Sequence, residues 1–124
     1  MRVKIDTKEI FHVISIEEPQ LTAIMAGELE ELVKNQLKAN NKSVILDMHL
    51  VDDADASIAV LLNKLHDLVY GSGRSFVICC LNQTVRKTFE LAGVFDSLNI
   101  TPTDSEAWDI VQMEEIEREL GMDS

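Results

Sequence analysis

Carboxylate and hydroxyl side chains that could do chemistry crowd one short segment. Asp52, Asp53, Asp55 and Ser57 all lie within it. Hard divalent cations prefer such oxygen ligands, but the segment lacks the further ligands and the glycine of a calcium-binding loop. Acid–base catalysis would need a pocket that separates the pKa values of two carboxylates, which no spacing here indicates. We therefore predict a solvated acidic turn with no metal, no cofactor and no catalytic residue.

Another aspartate, Asp47, ends the apolar run 44–46. A phosphoryl-accepting receiver domain has a similar length and order of elements, and it carries an aspartate at the end of its third strand. That class also needs an acidic pair after its first strand and a lysine after its last strand. Neither is evident in this sequence, so a receiver-like function that uses Asp47 is the less favoured alternative.

The two cysteines, Cys79 and Cys80, are adjacent in an apolar segment. In a strand their side chains would point to opposite faces and could not reach one partner together. We predict that both act as small buried hydrophobic residues. Because the three histidines are scattered along the chain, at positions 12, 49 and 66, the sequence does not predict a zinc site.

The acidic turn lies between two elements that must position it. Residues 43–48 are apolar enough for a buried strand, and residues 57–70 are predicted to form a helix. Ile58, Leu61 and Leu65 recur at the spacing of one helix face. Asp55 or Ser57 could accept hydrogen bonds from the first free amides of that helix. The turn would then lie at the carboxyl end of a strand.

The rest of the chain alternates strands and helices. We predict a hairpin over 2–16, a helix over 21–38, strands over 75–81 and 98–101, a helix over 82–92 and a last helix that begins at the capping box 103–106. This order implies an α/β fold, a small sheet of mainly parallel strands with an N-terminal antiparallel hairpin, covered by about four helices. Partners of such sheets meet the carboxyl ends of the strands.

Length and charge limit the class of protein. The 124 residues suit one domain, and the net charge of −11 argues against nucleic acid and anionic membranes as partners. Residues 104–124 hold eight acids and one base, so they carry −7 and leave −4 for residues 1–103. We predict a domain over 1–113 and an acidic helical extension over 114–124, either solvated or docked on a basic surface. Without a signal peptide or an apolar run of roughly 20 residues, the protein is predicted to be cytoplasmic.

Four segments together resemble a known family. They are Val44-Ile-Leu-Asp-Met48, Asp55-Ala-Ser-Ile-Ala-Val-Leu-Leu62, Gly73-Arg-Ser-Phe-Val-Ile78 and Val85-Arg-Lys-Thr-Phe-Glu-Leu-Ala-Gly-Val-Phe95. This pattern resembles the STAS domain of bacterial anti-sigma-factor antagonists over most of residues 1–112. Its most specific parts are Asp55 before the second long helix and the sequence Leu91-Ala-Gly-Val-Phe95.

The resemblance implies a non-enzymatic protein-binding regulator in a partner-switching pathway. Such antagonists capture an anti-sigma factor or serine kinase, and phosphorylation of the serine after the motif aspartate breaks the complex by adding negative charge. Here that serine position is Ala56 and the motif glycine position is Ile58, so Ser57 is the remaining candidate for phosphorylation. The resemblance places partner binding on Asp53, Asp55, Ala56, Ser57 and Ile58. An accessory or scaffold subunit of a signalling or lipid-transport complex is the alternative.

Overall fold

A computed structural model describes residues 1–121 of the chain. It contains seven strands and four α-helices, with short 3-10 turns at Ala23–Met25 and Phe95–Ser97. The elements in chain order are β1 (Val3–Thr7), β2 (Phe11–Ile16), β3 (Gln20–Leu21), α1 (Ala26–Ala39), β4 (Ser43–Asp47), β5 (Asp53–Ala54), α2 (Ala56–Gly71), β6 (Phe76–Cys79), α3 (Gln83–Leu91), β7 (Ile100–Thr101) and α4 (Asp104–Glu119).

Five of the strands form one mixed sheet in the order β1-β2-β4-β6-β7, and β3 pairs with β5 in a separate two-stranded sheet. The β1 and β2 strands form an antiparallel hairpin, whereas every other neighbouring pair is parallel. This arrangement confirms the predicted fold class, including the hairpin. Within residues 1–121, no helix is both long and apolar enough to cross a membrane.

The order of the parallel strands determines how the helices are layered. Because β2, β4, β6 and β7 follow the chain without reversal, right-handed crossovers place α1, α2 and α3 on the same face. That face covers the larger apolar core, which contains Leu29, Leu46 and Leu62. The last helix, α4, covers the opposite face, where Ala107 and Val111 join a smaller core.

This topology argues against the receiver-like alternative. Receiver domains have a doubly wound sheet in which the strand order reverses near the first strand, so their helices lie on both faces of the sheet. Here the strands after β1 are added in sequence order, and the first strand is an antiparallel edge strand.

The helix predicted over 21–38 begins later than expected. Leu21 lies in β3, Ile24 is 89% exposed in a 3-10 turn, and α1 begins at Ala26. The cause is tertiary, because Gln20–Leu21 pairs with Asp53–Ala54. This pairing outweighs the helical spacing of the apolar residues around it.

The prediction that the two cysteines point to opposite faces is wrong. Strand β6 ends at Cys79, and Cys80 adopts a left-handed backbone conformation with φ of +69°. The alternation of a strand therefore stops between them, and their Sγ atoms lie 3.1 Å apart. Cys79 is fully buried, as predicted, whereas Cys80 is only half-buried.

Helix α4 runs without a break through the predicted boundary between residues 113 and 114. Its Glu114 accepts hydrogen bonds from the hydroxyls of Tyr70 and Ser75, and its Glu115 accepts one from Ser43 at 2.6 Å. The side chain of Arg118 contacts Glu115 at 2.6 Å. The first acids of the predicted extension therefore hold α4 over the amino ends of β4 and β6. Residues 122–124 of that extension lie outside the described part of the chain.

The single tyrosine of the chain reports on this attachment. Burial, followed by the hydrogen bond to Glu114, raises the pKa of Tyr70 from 10.0 to about 12. Because the folded state holds the phenol proton more tightly, this group's contribution to stability is complete below about pH 10 and is lost as the pH rises through about 12. We expect ultraviolet absorbance of the folded protein to show Tyr70 ionising near pH 12, and the substitution Glu114→Gln to lower that midpoint.

Glu117→Gln is the matched control, because Glu117 is an exposed acid on the same helix. It should leave the midpoint unchanged. A midpoint near pH 10 in protein that circular dichroism shows to be folded would contradict the described contact.

Candidate protein-binding site

Helix α2 begins at a carboxylate cap. Asp55 has extended backbone dihedrals, and its Oδ1 atom accepts hydrogen bonds from both the amide (2.9 Å) and the hydroxyl (2.7 Å) of Ser57. An aspartate cap satisfies a free amide and places negative charge at the positive end of the helix dipole. The amide of Ser57, and then its hydroxyl, lower the pKa of Asp55. The cap is therefore ionised at neutral pH.

The backbone of residues 19–21 holds the turn in front of this cap. The amides of Asp52 and Asp53 donate to the carbonyl oxygen of Pro19 at 2.7 and 3.2 Å. The amide of Asp55 donates to the carbonyl oxygen of Leu21 at 2.8 Å. The pairing of β3 with β5 thus fixes the backbone of the acidic turn against the chain that leads into α1.

A second segment reaches the turn through one side chain. The Nδ2 atom of Asn82 donates to the carbonyl oxygens of Val51 (3.3 Å) and Asp52 (3.0 Å). Its Oδ1 atom accepts from the amide of Val85 at 2.8 Å and so caps α3. The sequence placed Asn82 at the start of a helix without a role. An asparagine there favours capping, but no local pattern indicates contact with residues 30 positions earlier.

Four of the five predicted binding residues are exposed. Asp53, Asp55, Ala56 and Ser57, which together form what we call the junction surface, lie at the surface beside one another. The fifth residue, Ile58, is fully buried in the larger core. Its prediction as a partner contact is therefore corrected: Ile58 anchors the first turn of α2 beneath the surface. The exposed side chains of Gln20 and Thr22 and the half-buried Thr88 extend the junction surface into a shallow groove.

Two carboxylates of the turn accept hydrogen bonds from nearby backbone amides. Asp53 Oδ1 accepts from the amide of Ala54 at 2.9 Å, as Asp55 Oδ1 accepts from Ser57. Among residues 1–121, neither aspartate belongs to a group of three potential metal-ligating side chains. The junction surface is thus a hydrogen-bonded, negatively charged patch around the methyl group of Ala56.

Residues 2–107 match the STAS domain in a comparison with protein families. The match covers most of the chain, and the chain belongs to the STAS domain family. A search of curated proteins found no significant match.

Solved structures with the same fold include anti-sigma factor antagonists. One from Mycobacterium paratuberculosis is 15% identical, with a TM-score of 0.74, and the alignment covers 90% of this chain and 93% of that one. The antagonist SpoIIAA, in its unphosphorylated form, is 16% identical with a TM-score of 0.73 and coverage of 90% and 96%. The murine Slc26a9 anion transporter is 18% identical with a TM-score of 0.69, and the alignment covers 83% of this chain but 18% of the transporter. At these identities the likeness shows the fold alone.

The role of Asn82 predicts a specific loss of stability. Asn82→Ala removes the cap of α3 and its two hydrogen bonds to the turn, so we expect it to lower the free energy of unfolding by about 1–2 kcal/mol. Denaturant unfolding measures this change. Hydrogen exchange should show faster exchange at the amides of Asp52 and Asp53.

Gln83→Ala is the control, because Gln83 is the next residue and is exposed at the start of the same helix. It should change the stability by less than about 0.5 kcal/mol. Equal effects of the two substitutions would show that Asn82 does not hold the turn.

Proposed function

We propose that this chain is a non-enzymatic, cytoplasmic regulator that captures an anti-sigma factor or a serine kinase through the junction surface. Membership of the STAS family and a fold shared with anti-sigma factor antagonists support this class. The observation that carries the site is the exposed start of α2, which two separate segments of the chain, residues 19–21 and Asn82, hold in place. A surface ordered before binding loses little conformational entropy when a partner docks.

The same geometry favours capture without a serine switch. Ala56, which follows the motif aspartate, has no hydroxyl, and the hydroxyl of Ser57 donates to Asp55. A phosphate on Ser57 would remove this hydrogen bond and bring a second negative group beside an ionised carboxylate. Phosphorylation of Ser57 therefore acts against the cap, and the junction surface is a constitutive recognition site.

A second candidate is the accessory or scaffold subunit of a signalling or lipid-transport complex. The observation that favours it is a row of exposed apolar side chains on α4 and at its C-terminal cap, at Met113, Ile116 and Leu120. These residues lie on the opposite face of the sheet from α1, α2 and α3. The scaffold function would be favoured if substitution of these three residues abolished assembly of the complex while substitutions in the junction surface did not.

Ala56→Glu tests the binding surface. A carboxylate at this position has to be desolvated against the partner without a counter-charge, so we expect partner affinity to fall by at least about 10-fold. Because Ala56 is exposed, the melting temperature should change little. Pull-down identified by mass spectrometry, followed by titration of the purified partner, measures the effect.

Leu68→Glu is the matched control. It introduces the same charge at an exposed apolar position three turns further along α2. Its affinity should match that of the native chain. Unchanged capture by the Ala56→Glu protein would place the interface elsewhere.

Incubation with ATP and a captured kinase tests the absence of the switch. We expect mass spectrometry to find no phosphate on the peptide that contains Ala56 and Ser57. The Ala56→Ser variant, which restores a hydroxyl directly after Asp55, should be phosphorylated and so shows that the kinase is active. Phosphate on Ser57 of the native chain would overturn constitutive capture.

A further inference from the structure

Three side chains with metal-ligating atoms meet away from the junction surface. Asp47, Cys79 and Cys80 each offer one ligand atom, and these atoms all lie within 4.8 Å of one another. Cys79 is buried in the smaller core under α4, and Cys80 packs against that core. The cluster lies at the carboxyl ends of β4 and β6, on the opposite face of the sheet from α1, α2 and α3.

Strand register and one unusual backbone conformation create this cluster. Asp47 and Cys79 are direct partners across the parallel pair of β4 and β6, so their side chains share a face. Cys80 would point to the other face if the strand continued, but its φ of +69° turns the thiol back beside Cys79. A residue with a Cβ atom rarely adopts this conformation, and among residues 1–121 the other positive φ angles belong to glycines.

We propose that Asp47, Cys79 and Cys80 bind a thiophilic divalent cation such as Zn²⁺. Two thiolates and a carboxylate are ligands that zinc accepts, with Zn–S distances of about 2.3 Å and Zn–O distances of about 2.1 Å. Binding displaces one proton from each thiol, so two protons are released for each ion bound. A water molecule completes a site of three protein ligands.

The geometry requires only a small adjustment. Two sulfurs on one tetrahedral zinc lie about 3.8 Å apart, given the usual bond length, and the Sγ atoms here are 3.1 Å apart. Cys80 is half-buried and therefore provides the side from which an ion and its water can enter. The same 3.1 Å separation is well beyond the length of about 2.05 Å of a disulfide bond.

A neighbouring histidine orients the carboxylate ligand. The amide and the Nδ1 atom of His49 lie 3.0 and 2.9 Å from Oδ1 of Asp47. Asp47 is largely shielded, with 13% of its side chain exposed, whereas 53% of the His49 side chain is exposed. Hydrogen bonds to a ligating carboxylate fix its direction and increase metal affinity.

The experiment uses the full reduced chain and Cd²⁺ as a spectroscopic probe, with Zn²⁺ as competitor. Thiolate ligands give a ligand-to-metal charge-transfer band in the ultraviolet, whose intensity reports their number. We expect one equivalent of Cd²⁺ to produce a two-thiolate band that Zn²⁺ removes. Zn²⁺ should also raise the melting temperature.

Cys80→Gly is the decisive variant. Glycine accepts a positive φ without strain, so the metal-free protein should be at least as stable as the native chain while it lacks one ligand. We expect loss of the two-thiolate band and at least a 10-fold lower affinity. Asp47→Asn should keep the band but weaken binding, whereas Asp53→Asn, in the acidic turn, should bind as the native chain does.

Three results would overturn the proposal. They are the absence of a charge-transfer band in the native chain, a band that Cys80→Gly leaves intact, and equal loss of affinity in the Asp47→Asn and Asp53→Asn proteins.

Discussion

The parallel pairing of Gln20–Leu21 with Asp53–Ala54 is the contact on which the junction depends. These two strands have two residues each, yet they join the segment before α1 to the segment before α2. The carbonyl oxygen of Pro19 extends the pairing by accepting two amides of the turn. Together with the hydrogen bonds from Asn82, this pairing orders the acidic turn within the fold itself. The entropy of ordering it is therefore lost on folding rather than on binding a partner.

The sequential order of the parallel strands separates the two candidate sites. Along β4, Val44 and Leu46 face the larger core, whereas Ile45 and Asp47 face α4. The chain after β4 then returns over the first face to begin α2. The carboxyl end of one strand consequently presents the junction surface beside one layer of helices and the Asp47 cluster beneath the other. A change at one site need not disturb the other, because the sheet lies between them.

The long periodic elements could be predicted because their signal is local. The strand near residues 43–47, the helix after Asp55 and the stop at Gly73 follow from apolar spacing, capping and turn chemistry. A two-residue strand has no periodicity of its own. The helical spacing of the apolar residues therefore extends the predicted helix to Leu21, which lies in β3. The left-handed conformation of Cys80 had no sequence signal either, since positive φ is expected at glycine and, less often, at asparagine or aspartate, but not at cysteine. The burial of Ile58 could be predicted, because its spacing with Leu61 and Leu65 places it on the inward face of the helix.

The position of the hydroxyl explains why Ser57 is not equivalent to a serine at position 56. Successive residues of an α-helix point about 100° apart around its axis, so moving a hydroxyl by one position turns it away from the direction of the Ala56 side chain. In this chain the turned hydroxyl bonds to the capping carboxylate of Asp55. The same atom therefore stabilises the start of α2. Under the proposed function, the recognition surface would keep one charge state, and control over capture would rest with the partner or with the amounts of the two proteins.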